Sequence, residues 1–161
     1  MLMIDLQFMA ARQPISEIFE TLITRNPVSC AWIAGSQDTK ISGFLFCFDL
    51  WGGTLAALYM VGLPHSSEKC APHFFGFHIH DGDVHYNPEN CPHPAHAGDC
   101  PPLLSSNGTA WQMFYTGYFT PTDIIGKTAV IHEHAEDFTS QPSGNSGNPI
   151  AKGEIREYGV K

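Results

Sequence analysis

The chain has 161 residues, of which 43% are hydrophobic, enough for one domain with a buried core. It carries 8 Lys and Arg against 16 Asp and Glu, a net charge of −8 that argues against a nucleic-acid partner. No apolar run reaches the ~20 residues of a membrane-spanning helix, and 15 Gly and 12 Pro favour short strands and turns over a helical bundle.

The N-terminal region predicts a short helix ahead of the main domain. Residues 1–13 include Asp5 within apolar sequence and have no basic leader, so we expect no signal peptide and a cytoplasmic protein. Pro14 is suited to begin a helix, and apolar residues then recur at helical spacing: Ile15, Ile18, Phe19, Leu22 and Ile23. We predict a helical extension over residues 1–26 that lies on the main domain or on a partner subunit, and a β domain over residues 27–161.

From residue 28 onward, segments rich in β-branched and aromatic residues alternate with Gly- and Pro-containing breaks, which predicts an antiparallel β protein. The predicted strands are 28–34, 41–49, 54–62, 74–80, 109–119, 128–132 and 151–158. Two stretches between them are predicted to be long functional loops. They are residues 82–107, dense in His, Pro, Asp and Cys, and the Gly- and Ser-rich residues 136–149.

Five of the nine histidines fall within residues 77–96. His78 and His80 are two residues apart on a predicted strand, so both rings leave the same face and can converge on one ion. Copper prefers several imidazole ligands of this kind. The pair therefore predicts part of a copper site.

A second set of ligands follows in the predicted loop. His93, His96 and Asp99 recur at intervals of three in a segment stiffened by proline. Imidazoles and a carboxylate at such spacing suit tetrahedral zinc. One region thus predicts ligands for two different ions, with His85 between the two clusters.

Five segments occur in an order that resembles the copper/zinc superoxide dismutase family, over roughly residues 28–155: GFHIH, HYNP, HAGD, IGKTAVIHEHAEDF and PSGNSGNPIAKGEI. The short loops resemble bacterial-type members. The resemblance implies an all-β, eight-stranded Greek-key β-barrel or sandwich of immunoglobulin-like architecture. It also implies an antioxidant oxidoreductase that converts superoxide to dioxygen and hydrogen peroxide by copper redox cycling, with copper and zinc ions as cofactors.

The resemblance also implies a role for each ligand. The copper ligands would be His78, His80, His85 and His132, and the zinc ligands His85, His93, His96 and Asp99. His85 would bridge the two ions and act as the catalytic histidine, releasing copper to take a proton that it later delivers. His134 competes with His132, which we prefer because the family has one histidine here. The carboxylate that links copper and zinc ligands would be Glu136 or Asp137.

The sequence departs from the family pattern in two places. An arginine near copper guides the anion in the family, and here Pro149 occupies its place, so we expect slower removal of superoxide. Lys127 and Lys152 are candidate replacements. The family disulfide cannot form, because the loop over residues 81–84 has no cysteine. That loop often builds the family's dimer contact, so we expect a monomer or a homodimer with a non-standard interface.

Two other functions stay open. One is a non-catalytic copper- and zinc-binding dismutase-like protein or copper carrier, which the missing arginine favours. The other is a zinc knuckle built on Cys91, His93, His96 and Cys100, although this leaves the remaining histidines unexplained. Cys91 and Cys100 could also form a disulfide that closes the zinc loop, or stay reduced.

Overall fold

The computed structural model describes residues 15–68 and 73–159. Over these ranges the chain forms one helix, α1 (Ile15–Thr24), and ten strands. The strands are β1 (Ser29–Gly35), β2 (Ser42–Leu50), β3 (Gly53–Val61), β4 (Phe74–Asp81), β5 (Val84–His85), β6 (Asp99–Leu104), β7 (Ala110–Thr116), β8 (Thr128–His132), β9 (Pro149–Glu154) and β10 (Arg156–Glu157). What the sequence predicts for residues 1–14 lies outside this description, and the domain division after residue 26 stays a prediction.

All ten strands belong to one curled antiparallel sheet. Its main path runs β5-β4-β8-β9-β1-β2-β3-β7, with β6 paired to β4 and β10 paired to β1. Neighbours such as β4 and β8 are far apart in sequence, as a Greek key requires. At the ends of the sheet, the Gln112 side chain on β7 donates a 3.0 Å hydrogen bond to the Pro101 carbonyl on β6. The predicted all-β Greek-key architecture is confirmed.

Each of the seven predicted strands is present, with two corrections. The last one is two strands, β9 and β10, separated at the fully buried Ile155. The loop predicted over residues 82–107 contains β5 and β6. The sequence does not predict β6 (DCPPLL) because it contains two prolines. Proline is tolerated in an edge strand, and β6 pairs with β4 on one side only.

Alternation along β4 separates the core from the histidines. Phe77 and Ile79 point inward and are at most 1% exposed, which stabilises the fold by roughly 1.5–3 kcal/mol for each side chain. His78 and His80 point to the opposite face of the strand, where they are nevertheless buried. The core continues around the sheet with residues such as Ile33, Leu45, Leu58, Leu103 and Ile131.

The predicted helix is present as α1 and packs on the outer face of β2 and β3. Ile18 and Leu22 contact a small apolar cluster that includes Phe48 and Leu55. The other three apolar positions of α1 point to solvent: Ile15, Phe19 and Ile23 are 72, 58 and 82% exposed. The sheet therefore buries only part of the apolar face of α1. No helix in the described ranges is long and apolar enough to cross a membrane.

Candidate metal centre

The predicted ligands gather on the outer face of β4 and β8, beneath two loops. His78 and His80 lie on β4, His132 ends β8, and His85 on the short strand β5 is paired with His80. β4 and β8 are directly hydrogen-bonded neighbours, so histidines from distant parts of the sequence are brought side by side. The sheet register thus assembles the first set of ligands.

Four histidines form the first group: His78, His80, His85 and His132. Each offers a ring nitrogen, and these atoms all lie within 4.8 Å of one another. Nε2 of His80 and Nε2 of His132 are only 3.4 Å apart. The His78 and His85 rings stack with centroids 3.9 Å apart. All four side chains are buried, so the group is a converged donor set and not a surface cluster.

A second group, built around Asp99, contains His85, His93 and His96. Asp99 Oδ1 lies 2.7 Å from His85 Nδ1 and 3.3 Å from His96 Nδ1. Asp99 Oδ2 lies 3.2 Å from His93 Nδ1 and accepts a 2.9 Å hydrogen bond from the backbone N–H of His96. His85 therefore belongs to both groups, and each group lies at a different edge of its ring.

Glu136 lies between the two groups. Its Oε2 accepts a 3.2 Å hydrogen bond from His78 Nε2 and lies 3.0 Å from His93 Nε2. The contact with His93 has ion-pair distance without hydrogen-bond geometry. Asp137, the alternative left by the sequence, instead accepts hydrogen bonds from Thr139 and Ser140 in its own loop. The buried carboxylate that links the two groups is Glu136.

Sequence reasoning missed two residues that hold the second loop against the first. The Gln141 side chain accepts a 3.1 Å hydrogen bond from the His93 N–H and donates a 2.7 Å bond to the His93 carbonyl. Gly144 has a φ of 68°, and a Cβ there would lie 2.6 Å from His93 Nε2. The close approach to His93 requires glycine. No sequence pattern signals Gln141, whereas Gly144 lies in a Gly- and Ser-rich loop without indicating its contact.

Burial favours the neutral form of three histidines of the first group. Removal from water, reinforced by the neighbouring His85, His132 and His78, lowers the pKa of His80 to about 3. Burial likewise lowers the pKa of His78 and of His132. Neutral imidazole is the form that binds a metal ion. These three rings are therefore ready to bind without first losing protons.

The carboxylate of the second group is ionised for a different reason. Burial by itself would raise the pKa of Asp99, but hydrogen bonds from His85 and the His96 backbone, with the nearby imidazoles, lower it to about 2. An ionised carboxylate among histidines contributes the negative charge that a divalent cation needs.

Unpaired buried nitrogens test whether these residues fit metal ions. His78 Nδ1, His85 Nε2 and His93 Nδ1 are buried without a hydrogen-bond partner, and each such atom costs roughly 1–3 kcal/mol. Cations at the two groups would satisfy them. Several imidazoles suit copper, and three imidazoles with one carboxylate suit tetrahedral zinc. The donor sets fit both ions.

A family model described as copper/zinc superoxide dismutase (SODC) matches residues 61–155. The chain belongs to this family. It is 30% identical to rat extracellular superoxide dismutase [Cu-Zn] in an alignment of 115 residues that covers 60% of this chain and 46% of that protein. It is 34% identical to superoxide dismutase [Cu-Zn] of Deinococcus radiodurans in an alignment of 74 residues that covers 44% of this chain and 38% of that protein. The chain spans less than half the length of these curated relatives. Copper and zinc are the ions of the family.

Residues outside the two groups resolve the alternatives for this copper/zinc superoxide dismutase family member. β8 ends at His132, and the His134 side chain is 70% exposed beside Glu133. Cys91 and Cys100 are free thiols, and neither belongs to a candidate metal group of the described residues. The structure therefore supports neither the zinc knuckle nor the disulfide between Cys91 and Cys100. Cys100 instead packs in the core.

In this family member, the face of the sheet that carries the two ligand groups opens into a cavity of about 670 Å³. The cavity reaches His80, His85 and His132. Its rim carries Asp81 and Asp83, and no lysine or arginine is among the described residues that line it. Pro149 lies on the rim and pairs with His132 in the sheet.

The candidate replacement cations do not line this cavity. Lys127 Nζ lies 2.8 Å from Asp81 and 4.4 Å from the centroid of the Tyr86 ring. Its charge is therefore balanced locally. Lys152 lines a neighbouring depression and not the metal cavity.

Proposed function

We propose that this chain is a superoxide dismutase, which converts two superoxide ions and two protons to dioxygen and hydrogen peroxide. The observation that carries the proposal is the position of His85, whose ring belongs to both ligand groups. A non-catalytic binding site for two separate ions would not need a shared ring. The coarser assignment to a dismutase-like, metal-binding protein rests on the family itself.

The proposed ligands follow the two groups. The copper ligands are His78, His80, His85 and His132, and the zinc ligands are His85, His93, His96 and Asp99. Copper, when bound, supplies one-electron redox chemistry, whereas zinc keeps one oxidation state and organises the site.

The chain itself would control the proton through His85. Its Nδ1 is committed to the zinc group through the 2.7 Å contact with Asp99. Its Nε2 is buried without a partner, and the ring lines the cavity from which superoxide would enter. We assign to Nε2 the role of holding a proton and delivering it to the peroxide product. A cavity beside this atom gives the product a way out.

Two further contacts would aim the copper ligands. His78 Nε2 donates to Glu136 Oε2, which leaves Nδ1 as the ligand atom of that ring. His132 Nδ1 donates a 2.9 Å hydrogen bond to the Gly147 carbonyl, which leaves Nε2 facing His80. Fixing one nitrogen of an imidazole in this way sets the tautomer and orientation of the other. Glu136 is therefore a positioning residue.

We expect the acidic rim to slow the reaction. Superoxide is an anion, and the rim offers Asp83 and the paired Asp81 but no cation in the described part of the cavity wall. A net charge of −8 adds long-range repulsion. We propose a rate below the level that an arginine at position 149 would give.

Stopped-flow decay of superoxide tests the activity. The protein is loaded with copper and zinc or with zinc alone, and metal content is measured by elemental analysis. We expect fast decay only in the copper-containing sample. Equal decay in the two samples would remove the enzyme function and leave a metal-binding role.

A copper carrier is the second candidate. The open rim favours it, because its described residues include no lysine or arginine and a copper ion or a copper-bearing cationic partner would enter easily. It predicts rapid transfer of copper to a soluble chelator. Slow transfer together with catalytic superoxide decay would exclude it.

A cytoplasmic location stays a prediction of the N-terminal sequence.

A further inference from the structure

A line of exposed rings crosses the outer face of β1, β2, β3 and β7, away from the metal centre. Cross-strand partners in a sheet point to the same face, and the register joins one residue from each strand. We name this line the aromatic row: Trp32, Phe44, Tyr59 and Trp111. Their exposed fractions are 55, 42, 46 and 67%, although rings of this size are normally buried in a core or an interface.

The apolar surface continues beyond the aromatic row. Phe46 stacks on Phe44 with ring centroids 5.9 Å apart, and it also packs against the cluster beneath α1. The Tyr158 ring lies 6.3 Å from Phe46. On the far side of that cluster, α1 exposes its other three apolar side chains, Ile15, Phe19 and Ile23. The row and the helix form one extended apolar face.

Charge is missing from the aromatic row and from the positions next to it on the same four strands. The positions that flank the aromatic row on the same side, as the register places them, are Cys30, Ala34, Ser42, Phe46, Ala57, Val61 and Met113. None of these described positions is acidic or basic. Charged residues come in at the β1 edge of the face, where Lys152 pairs with Ala34 and Arg156 with Cys30. An anionic lipid surface is recognised by clusters of Lys and Arg. This face has Lys152 and Arg156 at one edge, Arg156 is paired with Glu154, and the chain carries a net charge of −8. An uncharged protein surface is the better match.

The order of the rings points to a second copy of the same chain. Read from either end, the aromatic row begins and ends with tryptophan and has one Phe and one Tyr between. A twofold axis between Phe44 and Tyr59 would place Trp32 of one copy against Trp111 of the other, and Phe44 against Tyr59. This reciprocal pairing is the property of an isologous interface.

The size of the face agrees with a dimer. The four rings expose on the order of 450 Å², and the exposed side of α1 adds to it. A stable interface buries about 800 Å² on each partner, and the largest apolar patch of an ordinary monomer is about 300–600 Å². We propose that two copies of this chain associate face to face through the aromatic row, which leaves both metal cavities open to solvent. This inference does not depend on the proposed activity.

Sedimentation velocity of the full chain over a wide concentration range tests the dimer. We expect the mass of one chain at high dilution and of two chains at high concentration. Tyr59→Glu, in the middle of the row, should weaken association at least about 30-fold, as expected for a central interface residue. The matched control is Tyr118→Glu, at a tyrosine that is 74% exposed but lies beyond β7, and it should change association less than threefold.

Three outcomes would overturn the proposal: a single-chain mass at every concentration, equal weakening by the two variants, or growth past two chains into larger assemblies. Acrylamide quenching of tryptophan fluorescence in the unmodified chain covers the case in which Tyr59→Glu does not fold. Trp32 and Trp111 should become shielded as concentration rises. Quenching that stays constant through the association would also overturn it.

Discussion

On the outer face of β4 and β8, buried histidines lie under two loops, whereas on the outer face of β1, β2, β3 and β7, aromatic rings lie in solvent. The same curled sheet supplies both surfaces. On the first face, polar groups become buried because Gln141 and Glu136 hold the loops down. On the second, only α1 covers part of the apolar surface among the described elements. What each face can bind therefore depends more on the loops or helix that cover it than on the strands beneath it.

The largest expected effect comes from removing the ring that joins the two ligand groups. His85→Ala should reduce superoxide decay at least about 100-fold, because both the shared ligand and the proton-carrying nitrogen are lost. Copper should stay bound through the three remaining histidines of its group, with an altered electron paramagnetic resonance spectrum and weaker zinc binding.

His134→Ala is the matched control, since its ring is exposed and belongs to neither group. It should leave the rate within about twofold of the original protein. If His85→Ala leaves both the copper spectrum and the zinc affinity unchanged, the two sites do not share this ring.

The next effect tests the carboxylate between the groups. Glu136→Gln keeps the size of the side chain but removes its charge, so His78 loses the charged acceptor that orients it and His93 loses a negative charge 3.0 Å away. We expect a loss of about 10- to 100-fold in metal affinity, measured by competition with a chelator. Glu89→Gln, at an exposed acid in the first loop, should change nothing. Equal affinities for Glu136→Gln and the original protein would show that Glu136 only fills space.

How far the sequence predicts these two faces differs between them. The histidines and Asp99 could be found because ligand types recur at a spacing that a strand or a tight loop converts directly into proximity. Gln141 could not, because its contact with His93 joins loops 48 residues apart. The aromatic row was hidden for a similar reason: each strand shows one ring among other apolar residues, and only the register aligns Phe44 with Tyr59 and Trp111.

A smaller effect is expected at the rim of the metal cavity. Pro149→Arg should raise the superoxide rate about three- to tenfold at low salt, because it adds the only basic side chain to the described lining of the cavity. The gain should shrink as ionic strength rises. The uncharged Pro149→Gln separates the charge from the loss of proline. If Arg and Gln variants react equally fast, or if added salt leaves the gain intact, electrostatic guidance does not limit the reaction.

The smallest effect concerns the only described element that covers the aromatic side. Trp51 Nε1 donates a 2.7 Å hydrogen bond to Glu17 Oε2 and so ties α1 to the turn between β2 and β3. Trp51→Phe should lower the free energy of unfolding by about 1 kcal/mol, read from the denaturation midpoint at constant m-value. Tyr115→Phe, which loses only an exposed 3.3 Å bond to the Trp51 carbonyl, should cost less than about 0.5 kcal/mol.

The Trp51 variant also separates the two faces functionally. α1 contacts β2 and its neighbours and makes no described hydrogen bond to either metal group, so Trp51→Phe should leave superoxide decay and metal affinity unchanged while it loosens the helix. Adding Glu17→Gln should cost little more, since both changes remove one interaction, as a double-mutant cycle would show. A fall in the superoxide rate that follows the loss of stability would mean that the faces are coupled through the core and cannot be treated as independent surfaces.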